Sequence, residues 1–343
     1  MIRGWAAQKR ARLTSESRTK RRVVIALLAA AVSISGISYT CAQPYPNRPV
    51  TFLVPYAPGG GTDVYARMLG EELSSKLHQP FVVENKAGAA TQIAAASLVN
   101  AAADGHTLMM GSSTTLAMNP ALYNKLSYNV DDFAPVALVG SAYFVLVANP
   151  SVPAKTLPEL IAYIKSQPPG SLSYGSSGAG TPHHLFMEML LSMIGAKMTH
   201  VPYKGSVPAL TDVIAGNVPM MIVDLTPAQQ LIEEGKIRAF GITSPTRAVP
   251  APSIPTIAEA GLPGYSGEGW FGVIAKRGTP NQIIEVLHKT ISDYVARKDI
   301  AEKIYAMGIQ PKVGTVEEFS RFIPAEQAKW SKVISDAAIP RMN

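Results

Sequence analysis

Apolar and polar positions along this chain follow two periods. Short runs rich in β-branched residues recur, and between them lie stretches with apolar side chains every three to four positions. The run 50–55 predicts a buried strand. Residues 62–78 predict a helix, with Tyr65, Leu69, Leu73 and Leu77 on one stripe. A strand at 81–84, a helix at 89–102, and strands at 107–111 and 143–148 follow.

Further along, helix starts are marked by capping chemistry. In Thr156-Leu157-Pro158-Glu159 the threonine oxygen can accept an orphan amide while the glutamate reaches back, and Thr315-Val316-Glu317-Glu318 repeats the pattern. Thr181-Pro182, Thr226-Pro227 and Thr279-Pro280 each place a capping residue before a proline suited to the first helical position. These pairs follow strand-like runs at 172–176, 220–224 and 270–275. Alternation of this regularity predicts an α/β fold of parallel sheets covered by helices. A chain of 343 residues is generous for one sheet. Two lobes are therefore expected, joined by strands near 142–147 and 242–248. Lobe 1 would be discontinuous, 43–143 with 245–343, and lobe 2 would be 144–244.

The formal net charge of +7 would suit a nucleic-acid partner if it were spread over the chain. It is not. Residues 1–22 hold eight cations and one anion, and residues 23–42 hold no charged side chain. Removing them from totals of 31 and 24 leaves 23 of each sign, so no nucleic-acid partner is expected. The basic segment followed by an apolar run at 23–38 predicts a signal peptide, 1–42, cleaved after Ala42. A retained anchor and lipid attachment at Cys41 are the alternatives. Cys41 is the only cysteine, so cleavage would leave no thiol chemistry. An exported, periplasmic protein is expected.

In open α/β sheets, ligands sit beyond the carboxyl ends of strands, against helix N-termini. Three such junctions are rich in small donors: 55–63, with Gly59, Gly60, Gly61, Thr62 and Asp63; 111–115, with Ser112, Ser113 and Thr114; and 174–181, with Ser177, Gly178 and Thr181. Glycines admit close backbone approach, and first-turn amides with the helix dipole favour an anion. Phosphate and hydrolase motifs do not fit. Val64 stands where the dinucleotide pattern needs its last glycine, no Walker lysine follows, and Gly175-Ser176-Ser177-Gly178 misses the nucleophile-elbow spacing. His183 and His184 are adjacent, so they point to different sides of a helix and form no metal pair. His184 is the candidate for ligand or lobe contact. Asp63 and Asp224 are each a cap or a hydrogen-bond organiser. No metal, cofactor or catalytic group is expected.

Tyr45-Pro46-Asn47-Arg48-Pro49-Val50 and Val54-Pro55-Tyr56-Ala57-Pro58-Gly59-Gly60-Gly61-Thr62-Asp63 resemble the N-terminal signature of the Bug family, the extracytoplasmic receptors of tripartite tricarboxylate transporters. Segments 83–86, 104–108, 119–123, 178–185, 200–205 and 255–261 carry the resemblance along the chain. It implies a type II periplasmic-binding-protein fold with two lobes that close on a cleft. It also implies a role in capturing a small carboxylate (a dicarboxylate, amino acid or aromatic acid) for membrane transporter subunits. Loop 56–63 would cradle a carboxylate through Tyr56, Pro58, Gly59, Gly60, Thr62 and Asp63. Ser112, Ser113 and Thr114 would join it, with Ser177, Gly178, Thr181, His184, Tyr203 and Asp224 from the other lobe. The family often has Pro-Gly-Ala-Gly-Gly where this chain has Ala87-Gly88-Ala89-Ala90-Thr91, and His183 beside His184 is also a departure. The donor loops hold no Arg or Lys. Bonds to a charged group contribute about 1.5–3 kcal/mol each, and micromolar affinity needs about 8 kcal/mol net. The chain is expected to act as a monomer. Presentation of ligand to a sensor kinase, or an exported hydrolase or isomerase using Asp63 or His184, are the alternatives.

Overall fold

The computed structural model describes residues 45–343. The expected signal peptide 1–42, its expected cleavage after Ala42, and Cys41 lie outside the described residues.

The chain runs β1 (Val50–Val54), α1 (Gly61–Leu77), β2 (Phe81–Asn85), α2 (Gln92–Val99) and β3 (Thr107–Ser112). One π-helical turn, Thr114–Met118, leads into α3 (Asn119–Leu122) and β4 (Phe133–Ala142). A second series follows: β5 (Phe144–Ala148), α4 (Leu157–Ser166), β6 (Ser173–Ser176), α5 (Pro182–Ile194), β7 (Thr199–Pro202), α6 (Ser206–Ala215), β8 (Met220–Asp224), α7 (Leu225–Glu233) and β9 (Arg238–Ile242). The chain ends β10 (Gly269–Lys276), α8 (Asn281–Val295), α9 (Lys298–Ala306), β11 (Ile309–Pro311) and α10 (Val316–Asp336).

Two sheets result, ordered β11-β4-β10-β3-β1-β2 and β7-β6-β8-β5-β9. Both are mixed, which departs from the expected all-parallel arrangement. β10 runs antiparallel to β3 and β4, and β5 runs antiparallel to β8 and β9. Both enter their sheet directly from the other one, without the helical crossover that forces parallel pairing. β4 passes into β5 through one residue. Tyr143 donates its amide to the Gly308 carbonyl, and its carbonyl accepts from the Leu225 amide. After β9 the chain stays against the second sheet. Ile242 bridges Thr256, and Ala248 and Ala251 pack in the core around β8. The chain rejoins the first sheet at Gly269.

Tyr65, Leu69 and Leu73 of α1 are buried against β1, as their spacing predicts. Of the capping residues, Thr315 forms the reciprocal box with Glu318. Thr156 accepts from the Glu159 amide, and the Glu159 carboxylate accepts from the Lys155 amide. Thr226 and Thr279 do not cap. α7 starts at Leu225 and α8 at Asn281, leaving the two hydroxyls to donate to the carbonyls of Met307 and Lys276.

One hydrophobic cluster draws on both sheets. It holds Met109 and Trp270 of the first, Leu146 and Ile222 of the second, and Phe186 and Trp330. Trp330 of α10 stacks on Phe186 of α5, with centroids 5.4 Å apart. The indoles of Trp270 and Trp330 both donate to Glu326 at 3.0 and 3.2 Å.

Candidate functional site

A cleft of about 460 Å³ opens where strand ends of the two sheets meet. From the first sheet it is lined by Tyr56, Gly60, Gly61 and Thr62 after β1, by Gly88, Ala90 and Thr91 after β2, and by Ser112, Ser113 and Thr114 after β3. From the second come Ser177, Thr181, Pro182 and His183 around the start of α5, Gly205 and Ser206 at the start of α6, and Asp224 at the end of β8. Phe144 and Phe271, from the strands that cross between sheets, complete it. No lysine or arginine is among the lining residues.

The β1–α1 loop is shaped by Asp63, which is buried and does not itself line the cleft. Its carboxylate accepts from the Gly59 amide at 2.9 Å, from Asn85 at 2.8 Å and from the Arg67 guanidinium at 3.0 Å. Burial alone would raise its pKa, but Arg67, the Gly59 amide and Asn85 hold the group below the usual carboxylate range. Asn85 also donates to the Tyr56 carbonyl. Gly59 takes φ +85°, a left-handed conformation that glycine adopts freely. Gly60 is the N-cap of α1 and makes no side-chain cap, so the amides of Gly61 and Thr62 keep no partner one turn back.

A series of hydroxyls runs from the cleft lining through the buried Thr115. Tyr56 donates to Ser112 at 3.0 Å, Ser112 lies 3.2 Å from Thr115, and Thr115 donates to Thr91 at 2.9 Å. Burial pushes the Tyr56 phenol up, keeping it a neutral donor. Thr91 is reached through Ala89, Ala90 and Thr91 at φ 45°, 48° and 76°, three non-glycine residues in left-handed geometry. The expected helix at 89–102 is thus shortened to Gln92–Val99. Asn119 holds this turn by donating to the Ala90 carbonyl at 2.7 Å.

Across the cleft, Ser177 Oγ lies 2.7 Å from His183 Nδ1, and His183 Nε2 lies 3.0 Å from Asp224 Oδ2. Burial opposes ionisation of Asp224, but His183, with the Asp224 amide and the Ser206 hydroxyl, outweighs it and the carboxyl is held below its usual range. The Phe144 ring meets the His183 imidazole edge-on at 5.2 Å.

Six of the sequence candidates do not line this cleft. Pro58 and Gly59 are exposed on its first loop, Asp63 braces that loop from behind, and Gly178 supplies the turn into α5 at φ +133°. The Tyr203 phenol is tied to Asp212. His184 points away from the cleft, onto His200 at 4.0 Å and the Gly180 amide at 3.1 Å. His183 takes the cleft position instead. Sequence reasoning also missed Phe144, Phe271, Ser206 and the 87–91 turn. Only the departure of 87–91 from the family pattern pointed there.

A cleft between two sheets, built from helix N-termini and small hydroxyls, defines a solute-binding receptor of the two-lobed periplasmic type. The sequence pattern of the tripartite tricarboxylate transporter family receptor matches residues 65–339, and the chain belongs to that family. BugT of Bordetella pertussis is 35% identical over 316 residues, covering 91% of this chain and 97% of BugT. A UPF0065 protein from the tcbD-tcbE intergenic region of Pseudomonas sp. is 36% identical over 316 residues, covering 92% and 94%. The structure of R. palustris Rpa4515 with adipate has a TM-score of 0.79 at 36% identity, covering 87% of this chain and 100% of that one. MatC from Rhodopseudomonas palustris, with bound malate, has a TM-score of 0.74 at 33% identity, covering 84% and 100%. The motif resemblance and the two-lobed α/β fold expected from the sequence therefore hold.

Proposed function

We propose that the cleft captures a small carboxylate-bearing molecule on the periplasmic side of the membrane and presents it, without chemical change, to the membrane subunits of a tripartite tricarboxylate-type transporter. One observation carries this. The N-termini of α1, α5 and α6 converge on a single cleft that has no lysine or arginine among its lining residues. Each helix end favours an anion by about 0.3–1 kcal/mol, and the hydroxyls of Ser112, Ser113 and Thr114 add donors. Adipate on Rpa4515 and malate on MatC support a carboxylic acid as the ligand class. The two sheets act as lobes, and ligand bridging them favours the closed arrangement. Residues 45–142 with the chain from Gly269 onward form one lobe, and residues 144–262 form the other.

Hydrolysis has one observation in its favour, the series Ser177–His183–Asp224. Against it, the Gly178 amide is already donated to Ser176 Oγ at 3.0 Å. That amide, from the residue after the serine, is the one a nucleophile elbow uses to stabilise an oxyanion.

Gly60→Val tests the anchor. At φ −75° and ψ 163°, position 60 accepts a side chain, and an added Cβ meets only the Ala57 carbonyl at 3.9 Å. The fold should survive, with a thermal midpoint near wild type, while the side chain covers the amides of Gly61 and Thr62. Carboxylate affinity in a thermal-shift or calorimetric screen should drop at least about tenfold, equivalent to about 1.4 kcal/mol. Undiminished binding in the folded variant would move the carboxylate site elsewhere.

A further inference from the structure

Tyr56, His183 and Asp224 are the ionisable groups among the residues lining the cleft. The Tyr56 phenol is buried, neutral and committed to Ser112. On the second sheet's side the ionisable lining groups are therefore His183 and Asp224, beside the N-termini of α5 and α6. Asp224 comes from β8, and the Phe144 ring of β5 presents an uncharged edge. His184, the neighbour on α5, is turned onto His200, and burial pushes these two imidazoles down to about 3 and about 4. Both therefore stay neutral at neutral pH.

Hydrogen bonding then dictates what the ligand meets. An ionised carboxylate only accepts, so the His183 nitrogen facing Asp224 carries a proton. In the neutral imidazole Nδ1 is consequently an acceptor, and at 2.7 Å it takes the Ser177 hydroxyl proton. Ser177 then shows the cleft lone pairs only, beside an Asp224 charge that the Ser206 hydroxyl and a backbone amide stabilise but no cation balances. This surface is less favourable to a carboxylate and suits an ammonium or hydroxyl group. When His183 gains a second proton, Nδ1–H donates to Ser177 Oγ. The serine proton is released toward the cleft, and the charge of Asp224 is balanced. The same three residues then form a carboxylate-binding surface.

We infer that the receptor binds dicarboxylates with uptake of one solvent proton by His183, which makes this residue the determinant of what the second end of the ligand must be. The inference rests on the proposed carboxylate receptor and extends it to the half of the ligand remote from α1. The experiment spans about pH 5–8, where histidine charge changes in general are read out.

Calorimetry on the purified protein tests it, with malate and adipate as dicarboxylates, butyrate as monocarboxylate and alanine as zwitterion. Each titration is run in phosphate and in Tris, whose ionisation heats differ. A bound dicarboxylate should take up close to one proton at the alkaline end of the range and almost none at the acidic end, with affinity falling up to about tenfold per pH unit on the alkaline side. His183→Gln keeps a donor and an acceptor but holds no extra proton, so uptake should vanish and the pH profile flatten. Proton-free binding of a dicarboxylate at the alkaline end, uptake that persists in His183→Gln, or binding of butyrate or alanine alone would overturn the inference while leaving the receptor function standing. Binding of none of the four would overturn both. If the variant does not fold, wild-type imidazole nitrogen shifts decide: His183 should become doubly protonated on dicarboxylate addition at pH 7.5, and an unchanged signal refutes the coupling.

Discussion

His183 and His184 are neighbours in the chain with different surroundings. Helical geometry sends consecutive side chains about 100° apart, so one of the pair could face the ligand. Which one depends on the rotation of α5, and that is set by Phe186 packing against Phe144 and Trp330. His184 lands behind the binding loop, stacked on His200, with its Nδ1 accepting the Gly180 amide. His200 lies 2.6 Å from Ser176 Oγ. Burial, and for His184 also the charge of His200, lower these groups from 6.5 to about 3 and about 4. Between 6.5 and those values the unfolded chain binds protons that the native one refuses, so stability is lost as pH falls through that window. Thermal midpoints should decline between pH 6.5 and 5, where most carboxylates are still ionised, and His184→Gln should shrink that decline. Equal slopes for wild type and variant would show that the pair is not the acid-sensitive element.

Among the elements, the 87–91 turn is the least expected from propensity. The sequence predicts a helix from residue 89, because alanine is a strong helix former. Instead Ala89, Ala90 and Thr91 adopt left-handed backbone, which costs roughly 1–2 kcal/mol per non-glycine residue. What holds it is tertiary: Asn119 donates to Ala90, and Thr115 donates to the Thr91 hydroxyl. Neither partner is within twenty residues. Ala89→Gly with Ala90→Gly removes the steric cost, and the greater freedom of glycine in the unfolded chain takes back about 0.4–1 kcal/mol for each. Chemical denaturation of this double variant should show a net gain of about 1–2 kcal/mol, with ligand affinity kept because Thr91 is unchanged. A loss of stability would mean the alanine methyls contribute packing that exceeds the strain. By contrast, the capping box of α10 and the buried stripe of α1 were legible at once. Both depend on residues three or four positions apart, and local rules suffice there.

Over the whole molecule, two sheets share one hydrophobic cluster, pinned where Trp330 and Trp270 converge on Glu326. Wild type should therefore unfold in a single cooperative step, although it carries two lobes. Trp330→Ala removes the stack on Phe186 and one donor to the buried Glu326, a loss of about 3–5 kcal/mol. Urea melts followed by circular dichroism and by tryptophan fluorescence should coincide in wild type. Separate transitions in wild type would show that the lobes are independent. Any closure on ligand must pivot around this seam, with Tyr143 linking Gly308 to Leu225 at the crossing.

By itself the sequence determined the α/β alternation, the places where strand ends meet helix starts, the neutrality of the chain beyond its basic N-terminus, and the family. All of these follow from local periodicity, capping and motif. Only the tertiary structure decided that β5 and β10 run antiparallel, that Asp63 braces the first loop from behind, and that His183, Ser177 and Asp224 join in one hydrogen-bonded series. Those outcomes depend on contacts between segments tens of residues apart. Pairing direction, helix rotation and the burial of a charge are set by what packs against them, and local spacing does not encode that.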